Sequence, residues 1–179
     1  MSQIEKLAIR GIRAFSPDRE QAIEFESPLT MIVGANGCGK TTVIECLKFG
    51  TTGQAPPGSA SGKAFVHDPK VTGVSEVKAQ LKLRFKNYGG QRMVVVRSMQ
   101  LTQKKTTATF KQLDGVIRAT KPDGSKTSYT HKCGELDKTV LTQRLFPIIS
   151  ELELASMASS RCRTASTPSM WPSESLRVS

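Results

Sequence analysis

The sequence predicts an α/β domain in which a phosphate-gripping loop joins a buried strand to a helix, with an antiparallel β-sheet downstream. Three stretches carry that expectation. "GANGCGKT", Gly34 to Thr41, has the spacing GxxxxGK[ST] of a phosphate-binding loop. The nearly continuous apolar run "PLTMIVG" leads into it, and "VKAQLKLRF", Val77 to Phe85, alternates apolar and polar residues throughout. A chain of 179 residues is long enough for one such domain with a core and too short for two of ordinary size.

The elements follow in chain order. Ile4, Leu7, Ile9 and Ile12 with Phe15 predict a first strand, closed by the turn signal "SPD" at Ser16 to Asp18. "AIEFE", Ala22 to Glu26, alternates and suits a half-buried second strand, and "PLTMIVG" is a third, buried on both faces. After the loop, Val43, Ile44, Leu47 and Lys48 recur at helical spacing, with Gly50 and Gly53 as stop signals. A helix of about three turns fits that span. "GQAPPGSASG" is a surface loop by its Gly, Pro and Ser content, and Asp68-Pro69 in "FVHDPK" marks a turn.

Further on, Val77, Ala79, Leu81, Leu83 and Phe85 share one strand face, and Lys78, Gln80, Lys82 and Arg84 the other. "KNYGGQ" supplies a hairpin turn and "RMVVVRSMQL" the return strand. "TATFKQLDGVIRA" and "KTSYTH" form a second pair around "TKPDGS". The middle of the chain is therefore an antiparallel sheet with one basic face. From Thr139 onward Ser, Thr and Arg dominate without periodicity, so residues 1–138 are assigned to the folded domain and 139–179 to a divergent, disordered tail.

The loop's residue types follow from the chemistry of a bound triphosphate. Gly37 and Gly39 permit the positive-φ turns that aim successive backbone N–H groups at phosphate oxygens, and side chains there would block the approach. The helix starting near Lys40 adds its positive dipole end and unsatisfied amides. Lys40 supplies a mobile cation for the β- and γ-phosphates, and the Thr41 hydroxyl is a ligand for Mg²⁺. Thr42 is placed to donate to an α-phosphate, so Asn36 to Thr42 form the grip on ATP and Mg²⁺.

A net charge of +11 points to a polyanionic partner. The excess lies downstream of the loop: between Glu76 and Lys132 a long series of Lys and Arg faces only Glu76, Asp114 and Asp123. Aromatic residues make up 6% of the chain, which argues against single-strand recognition by base stacking. No apolar run is long enough to span a bilayer, and "MSQIEKLAIRGIRAF" lacks the apolar core of a signal peptide. An intracellular protein without a membrane partner is expected. Cys38, Cys46, Cys133 and Cys162 include no CxxC pair, so they read as reduced thiols rather than a zinc site or disulfide framework.

Among phosphate-loop proteins, a small GTPase would carry an NKxD base-reading element, and a small-molecule kinase a helical arginine-bearing lid where this chain has strands. Strands ahead of the loop and an antiparallel sheet after it match a P-loop NTPase of one particular kind, the N-terminal lobe of an ABC/SMC-type ATPase head. "IEKLAIRGIRAF", "SPLTMIVGANGCGKTTVIECLKFGTTGQAPPG", "FVHDPKV", "RSMQLTQKK" and "TFKQLDGVIRATKPDG" then resemble the start of the eukaryotic Rad-fifty family, the ATPase of the MRN/MRX double-strand-break repair complex. The likeness runs from Ser2 to about Lys138 with its motifs in family order. Cys38 stands where the family usually has a smaller residue.

This resemblance implies ATP and Mg²⁺ as cofactors, with Arg13 near the phosphates and Val66 and Asp68 at nucleotide-contacting positions. It also implies duplex DNA held through backbone phosphates by Arg97, Lys104, Lys105 and Lys111; a solvated basic face that blunts a sheet edge is the other reading. The implied partners are the nuclease subunit and a second copy joined through ATP, in the nucleus on chromosomes. Family members continue into a metal-coupling glutamine, a coiled coil with a CxxC zinc hook, and a C-terminal lobe bearing the signature motif, acidic strand and catalytic glutamate. "TQRLFPIISELELASMASSRCRTASTPSMWPSESLRVS" matches none of these, so no catalytic residue is assigned and zinc belongs to the hook alone. A tail of this texture after a good match reads as a truncated product with an altered frame or splice, or as a mispredicted gene model. The expected fragment hydrolyses ATP poorly; the alternatives are a nonenzymatic product that binds nucleotide or DNA weakly, and another SMC-like ATPase.

Overall fold

The computed structural model describes residues 2–59, 62–104, 107–121, 125–132, 135–137, 140 and 177–178. Lys105 and nearly all of the predicted tail lie outside the described residues. Strands β1 (Gln3–Arg10), β2 (Gln21–Glu24) and β3 (Ile32–Val33) precede helix α1 (Lys40–Thr52). A 3-10 turn at Lys63–Phe65 and the one-turn helix α2 (Pro69–Thr72) follow, then β4 (Glu76–Lys86), β5 (Arg92–Gln103), β6 (Ala108–Gln112), β7 (Gly115–Thr120) and β8 (Lys126–His131). Seven strands form one antiparallel sheet in the order β2-β1-β4-β5-β7-β8, with β6 also paired to β5.

The strict alternation of β4 sets its register with β5, Val77 opposite Leu101 through Lys86 opposite Arg92. A one-residue slip would turn every apolar side chain outward. The inner face therefore collects Leu7, Ile9, Leu81, Leu83, Phe85, Val95 and Met99, each no more than 1% exposed, and burying each large aliphatic or aromatic side chain contributes about 1.5–3 kcal/mol. Helix α1 covers this face with Val43, Cys46, Leu47 and Phe49.

Gly50 lies inside α1 rather than stopping it; the helix ends at Gly53, whose left-handed φ of 74° returns its N–H to the Phe49 carbonyl. Gly50's task is close approach, because a Cβ there would stand 3.0 Å from Leu81 Cδ2 and 3.3 Å from Leu83 Cδ2. The predicted strand "TATFKQLDGVIRA" is two strands. Met99 faces Gln112 and Val96 faces Val116, so one extra residue is inserted around Leu113 to Gly115, a β-bulge opposite Arg97.

The third strand departs most from expectation. Only Ile32–Val33 is extended, its ladder partner is β9 (Arg177–Val178), and Leu29, Met31 and Val33 are 71%, 57% and 57% exposed. An apolar run buried on both faces needs neighbours on both sides, and the seven-stranded sheet pairs β1, not β3, with its central strands.

Candidate functional site

The loop from Gly34 to Gly39 takes the shape its glycines allow. Gly37 and Gly39 have φ of 86° and 97°, in the left-handed region that costs other L-residues roughly 1–2 kcal/mol. The Cys38 N–H closes a turn on the Ala35 carbonyl at 3.3 Å. Gly39 is the residue before α1, no side chain caps that end, and the first helical bond runs from Val43 N–H to Gly39 carbonyl at 3.1 Å. The helix dipole and the first-turn amides are thus directed into the loop rather than into a cap.

The Lys40 ammonium folds over the loop and donates to the Gly34 carbonyl at 2.7 Å and the Ala35 carbonyl at 2.8 Å. Cys38 Sγ stands 4.0 Å from the same ammonium. Asn36 and Gly37 are exposed, Thr41 is half-buried and Thr42 is buried at 5%. This donor set fits a triphosphate: backbone amides and one cation gather at a loop that is open at Gly37, where a Cβ would meet nothing within 4 Å. The Thr41 hydroxyl at the start of α1 fits Mg²⁺ held jointly with phosphate oxygens. Among the described residues no cluster of His, Cys, Asp and Glu could hold a metal by itself.

A second segment is fastened beside the loop. Arg13 has φ 47°, the one positive-φ residue other than glycine among the described residues. A clasp holds it there: Arg13 N–H to the Phe65 carbonyl at 3.0 Å, an Ile12–Val66 bridge, and His67 N–H to the Gly11 carbonyl at 2.9 Å. His67 Nδ1 also meets the Arg13 carbonyl. The Phe15 ring would lie 3.4 Å from a Cβ on Gly39, so residues 11–15 pack against the phosphate loop itself. Arg13 and Val66 are thereby brought together. Val66 is buried, 3% exposed, and the exposed Asp68 caps α2 by accepting from Lys70 N–H at 2.9 Å.

The Arg13 guanidinium makes a forked pair with Glu45 of α1, at 2.8 Å and 3.1 Å on the two carboxylate oxygens. Sequence reasoning missed Glu45. Its one local signal is position, four residues after Thr41 and so on the same helix face. Burial, with the Glu45 charge adding to it, pushes the neighbouring Cys46 thiol well above its ordinary range.

The candidate nucleic-acid residues separate. Arg97 is a correction: it is 1% exposed and lies on the inner face, so it does not touch duplex phosphates. Its guanidinium donates to the Gly50 carbonyl at 3.0 Å and to Asp137 at 2.7 Å, and sits 5.6 Å from the Phe49 ring centroid. The signal was legible, because Met93, Val95, Arg97, Met99 and Leu101 share one parity along the strand. Lys104 and Lys111 are exposed, and Lys78, Gln100 and Lys111 align across β4, β5 and β6 on the outer face. Elsewhere on that face Glu24 pairs with Lys6 at 2.7 Å, Glu20 with Lys82 at 2.5 Å, and Glu5 with Arg92 and Lys86 at 3.2 and 3.6 Å.

A glycine-shaped phosphate loop running into an uncapped helix, on an antiparallel sheet, defines the lobe of a P-loop ATPase. The sequence matches the family described as AAA domain over residues 6–155, and the chain belongs to that family. Among individual proteins it is similar to the DNA repair protein RAD50 of Dictyostelium discoideum, 50% identical over 141 residues, and to those of Saccharomyces cerevisiae, 50% over 140, and Arabidopsis thaliana, 47% over 141. Each match covers 78% of this chain, and the chain spans only 10–11% of each relative's length. The Smc head domain with coiled coil and joint from Pyrococcus yayanosii superposes with a TM-score of 0.52 at 18% identity, covering 92% of this chain and 30% of that one. That likeness establishes the fold, the N-terminal lobe of an SMC-type head. Among the described residues no helix is long and apolar enough to cross a membrane.

Proposed function

We propose that this chain is the ATP-gripping N-terminal lobe of a DNA double-strand-break repair ATPase. The observation that carries the reading is the Lys40 ammonium held by the Gly34 and Ala35 carbonyls over a positive-φ glycine loop. In that position the amine exchanges two carbonyls for β- and γ-phosphate oxygens by rotating about its own side chain. Gly37, Gly39 and Asn36 offer backbone amides, Thr42 donates near the α-phosphate, and Arg13, Val66 and Asp68 border the nucleotide. Mg²⁺ supplies charge neutralisation of the β- and γ-oxygens when bound, with Thr41 as its protein ligand.

In the whole protein this lobe dimerises with a second copy around ATP and regulates a nuclease partner at DNA ends in the nucleus. The exposed Leu29, Met31 and Val33 support a site shared with a second lobe, since clustered exposed apolar side chains seek a covering partner. The chain by itself then binds ATP and turns it over poorly. ATP binding and hydrolysis measured with and without an added C-terminal lobe test this. Binding lost in Lys40→Ala and turnover only with the added lobe are expected; fast turnover by the chain alone, abolished in Lys40→Ala, would contradict the shared site.

A second reading, duplex DNA held by its phosphates, is favoured by the Lys78–Gln100–Lys111 row and the exposed Lys104. Lys105 belongs to the same proposal. Reversing Lys104 and Lys111 to Glu should weaken duplex binding alike for all sequences and lower the salt slope by about 2. An unchanged slope would show that this face only keeps the protein soluble.

A further inference from the structure

The nucleotide reading leaves Glu45 without a task, although it forms a two-point ion pair with Arg13 beside the phosphate loop. The two terminal guanidinium nitrogens of Arg13 each meet one carboxylate oxygen of Glu45, at 2.8 and 3.1 Å, in a partly buried setting with the two side chains 33% and 18% exposed. Two oxygens on one guanidinium fork is also the geometry in which arginine holds a phosphate. A carboxylate in that position is therefore a competitor for any anion arriving at the loop.

The surroundings give the competition a direction. Arg13 is clasped at φ 47° by Phe65, Val66 and His67, so its backbone is not free to carry the side chain away. Glu45 lies one helical turn beyond Thr41, about 6 Å along α1, and Phe15 anchors the same loop onto Gly39. From a fixed Cα the guanidinium has two anionic neighbours to choose between, the Glu45 carboxylate and a phosphate at the mouth of the loop. We propose that Glu45 is a positioning residue that holds Arg13 off the nucleotide in the empty lobe, and that the terminal phosphate of a triphosphate wins Arg13 from it. Affinity for nucleotide is then lower than the loop alone would give, and the loss falls hardest on the triphosphate, so the difference between tri- and diphosphate is smaller than without Glu45.

This inference rests on the nucleotide reading, and one experiment separates the two. Binding of Mg–ATP and Mg–ADP to the 179-residue chain is measured by calorimetry for the parent, Glu45→Gln, Glu45→Asp, Arg13→Gln, the Arg13→Gln/Glu45→Gln double variant and Lys40→Ala, alongside thermal melts. Removing the charge in Glu45→Gln is expected to lower the Kd for ATP about fivefold while lowering the melting temperature, and to lower the Kd for ADP by a smaller factor, so that the ratio of the Kd for ADP to that for ATP rises above the parent's. Arg13→Gln weakens ATP binding, and on that background Glu45→Gln has no further effect. A merely structural pair would instead lose affinity and stability together. Should Glu45→Gln not fold, Glu45→Asp, which keeps the charge but retracts it by one methylene, is expected to tighten ATP binding by a smaller factor. Binding abolished by Lys40→Ala but unchanged or weakened in the Glu45 variants overturns the positioning role alone. Absence of ATP binding by the parent chain overturns the nucleotide reading and this inference with it.

Discussion

Replacing Arg97 with alanine should cost far more folding free energy than a surface arginine would, and the structure sets the size. The substitution removes a donor to the Gly50 carbonyl at 3.0 Å and to the Asp137 carboxylate at 2.7 Å, and a cation stacked 5.6 Å from the Phe49 centroid. The carbonyl lies in the last turn of α1, where a positive charge also complements the helix dipole. Breaking one partner out of a buried charged pair costs about 3–5 kcal/mol. Asp137 keeps 30% of its side chain exposed, so water reaches the orphaned carboxylate and the lower end, about 3 kcal/mol, applies. For a domain of this size the melting temperature should fall by roughly 6–12 °C.

Arg97→Lys keeps the charge but not the fork, and should fall between alanine and the parent. Urea denaturation followed by far-UV circular dichroism checks both, with the slope unchanged if only stability has moved. A loss below about 0.5 kcal/mol is what an exposed site gives. If Arg97→Ala showed that small loss together with weaker, less salt-dependent DNA binding, the buried placement would be refuted and the phosphate-contact expectation restored.

Three further outcomes follow from other parts of the fold. Gly53→Ala places a Cβ 2.1 Å from Asp137 Oδ1 at φ 74°, so a loss of about 2 kcal/mol or more is expected in the same urea assay; a neutral variant would show that Asp137 does not close over the helix end. In a native thiol-labelling experiment mapped by mass spectrometry at neutral pH, the half-exposed Cys38 should react and the buried Cys46, whose thiol is pushed upward by burial, should not; saturating ATP should slow labelling at Cys38. The hydrogen bond and charge of Lys6 hold Glu24 below the value of 4.5 it has when unpaired. Its stabilising effect is therefore present above pH 4.5 and lost as pH falls through the lower folded value; Glu24→Gln should flatten that limb of the stability profile, and an unaltered limb would show the pair is inert.

Periodicity carried most of the fold. The alternation from Val77 to Phe85 fixed β4, its inner face and its register with β5, because side-chain direction in a strand depends only on parity. The same rule, applied to Met93, Val95, Met99 and Leu101, would have turned Arg97 inward; grouping it with the basic residues of the family resemblance put it on the surface. The bulge at Leu113 to Gly115 could not be seen in the pattern, since an inserted residue shows only against a partner strand. Gly50 looked like a helix stop for a related reason. Glycine marks both a helix end and a close approach, and only the Leu81 and Leu83 side chains beneath it decide which.

The sequence by itself determined the shape of the glycine loop, because Gly34 to Thr42 is one contiguous segment whose turn, helix start and lysine act locally. It also determined the family, through motifs spread in order from Ser2 to Lys138. Tertiary structure alone decided what Arg13 faces. The clasp to residues 65–67 and the Glu45 fork join segments 32 and more than 50 residues apart, and no local preference encodes such a contact. It decided the exposure of Leu29, Met31 and Val33 as well, for a strand's hydrophobicity states what it seeks to bury, whereas burial itself depends on which neighbours are there to cover it.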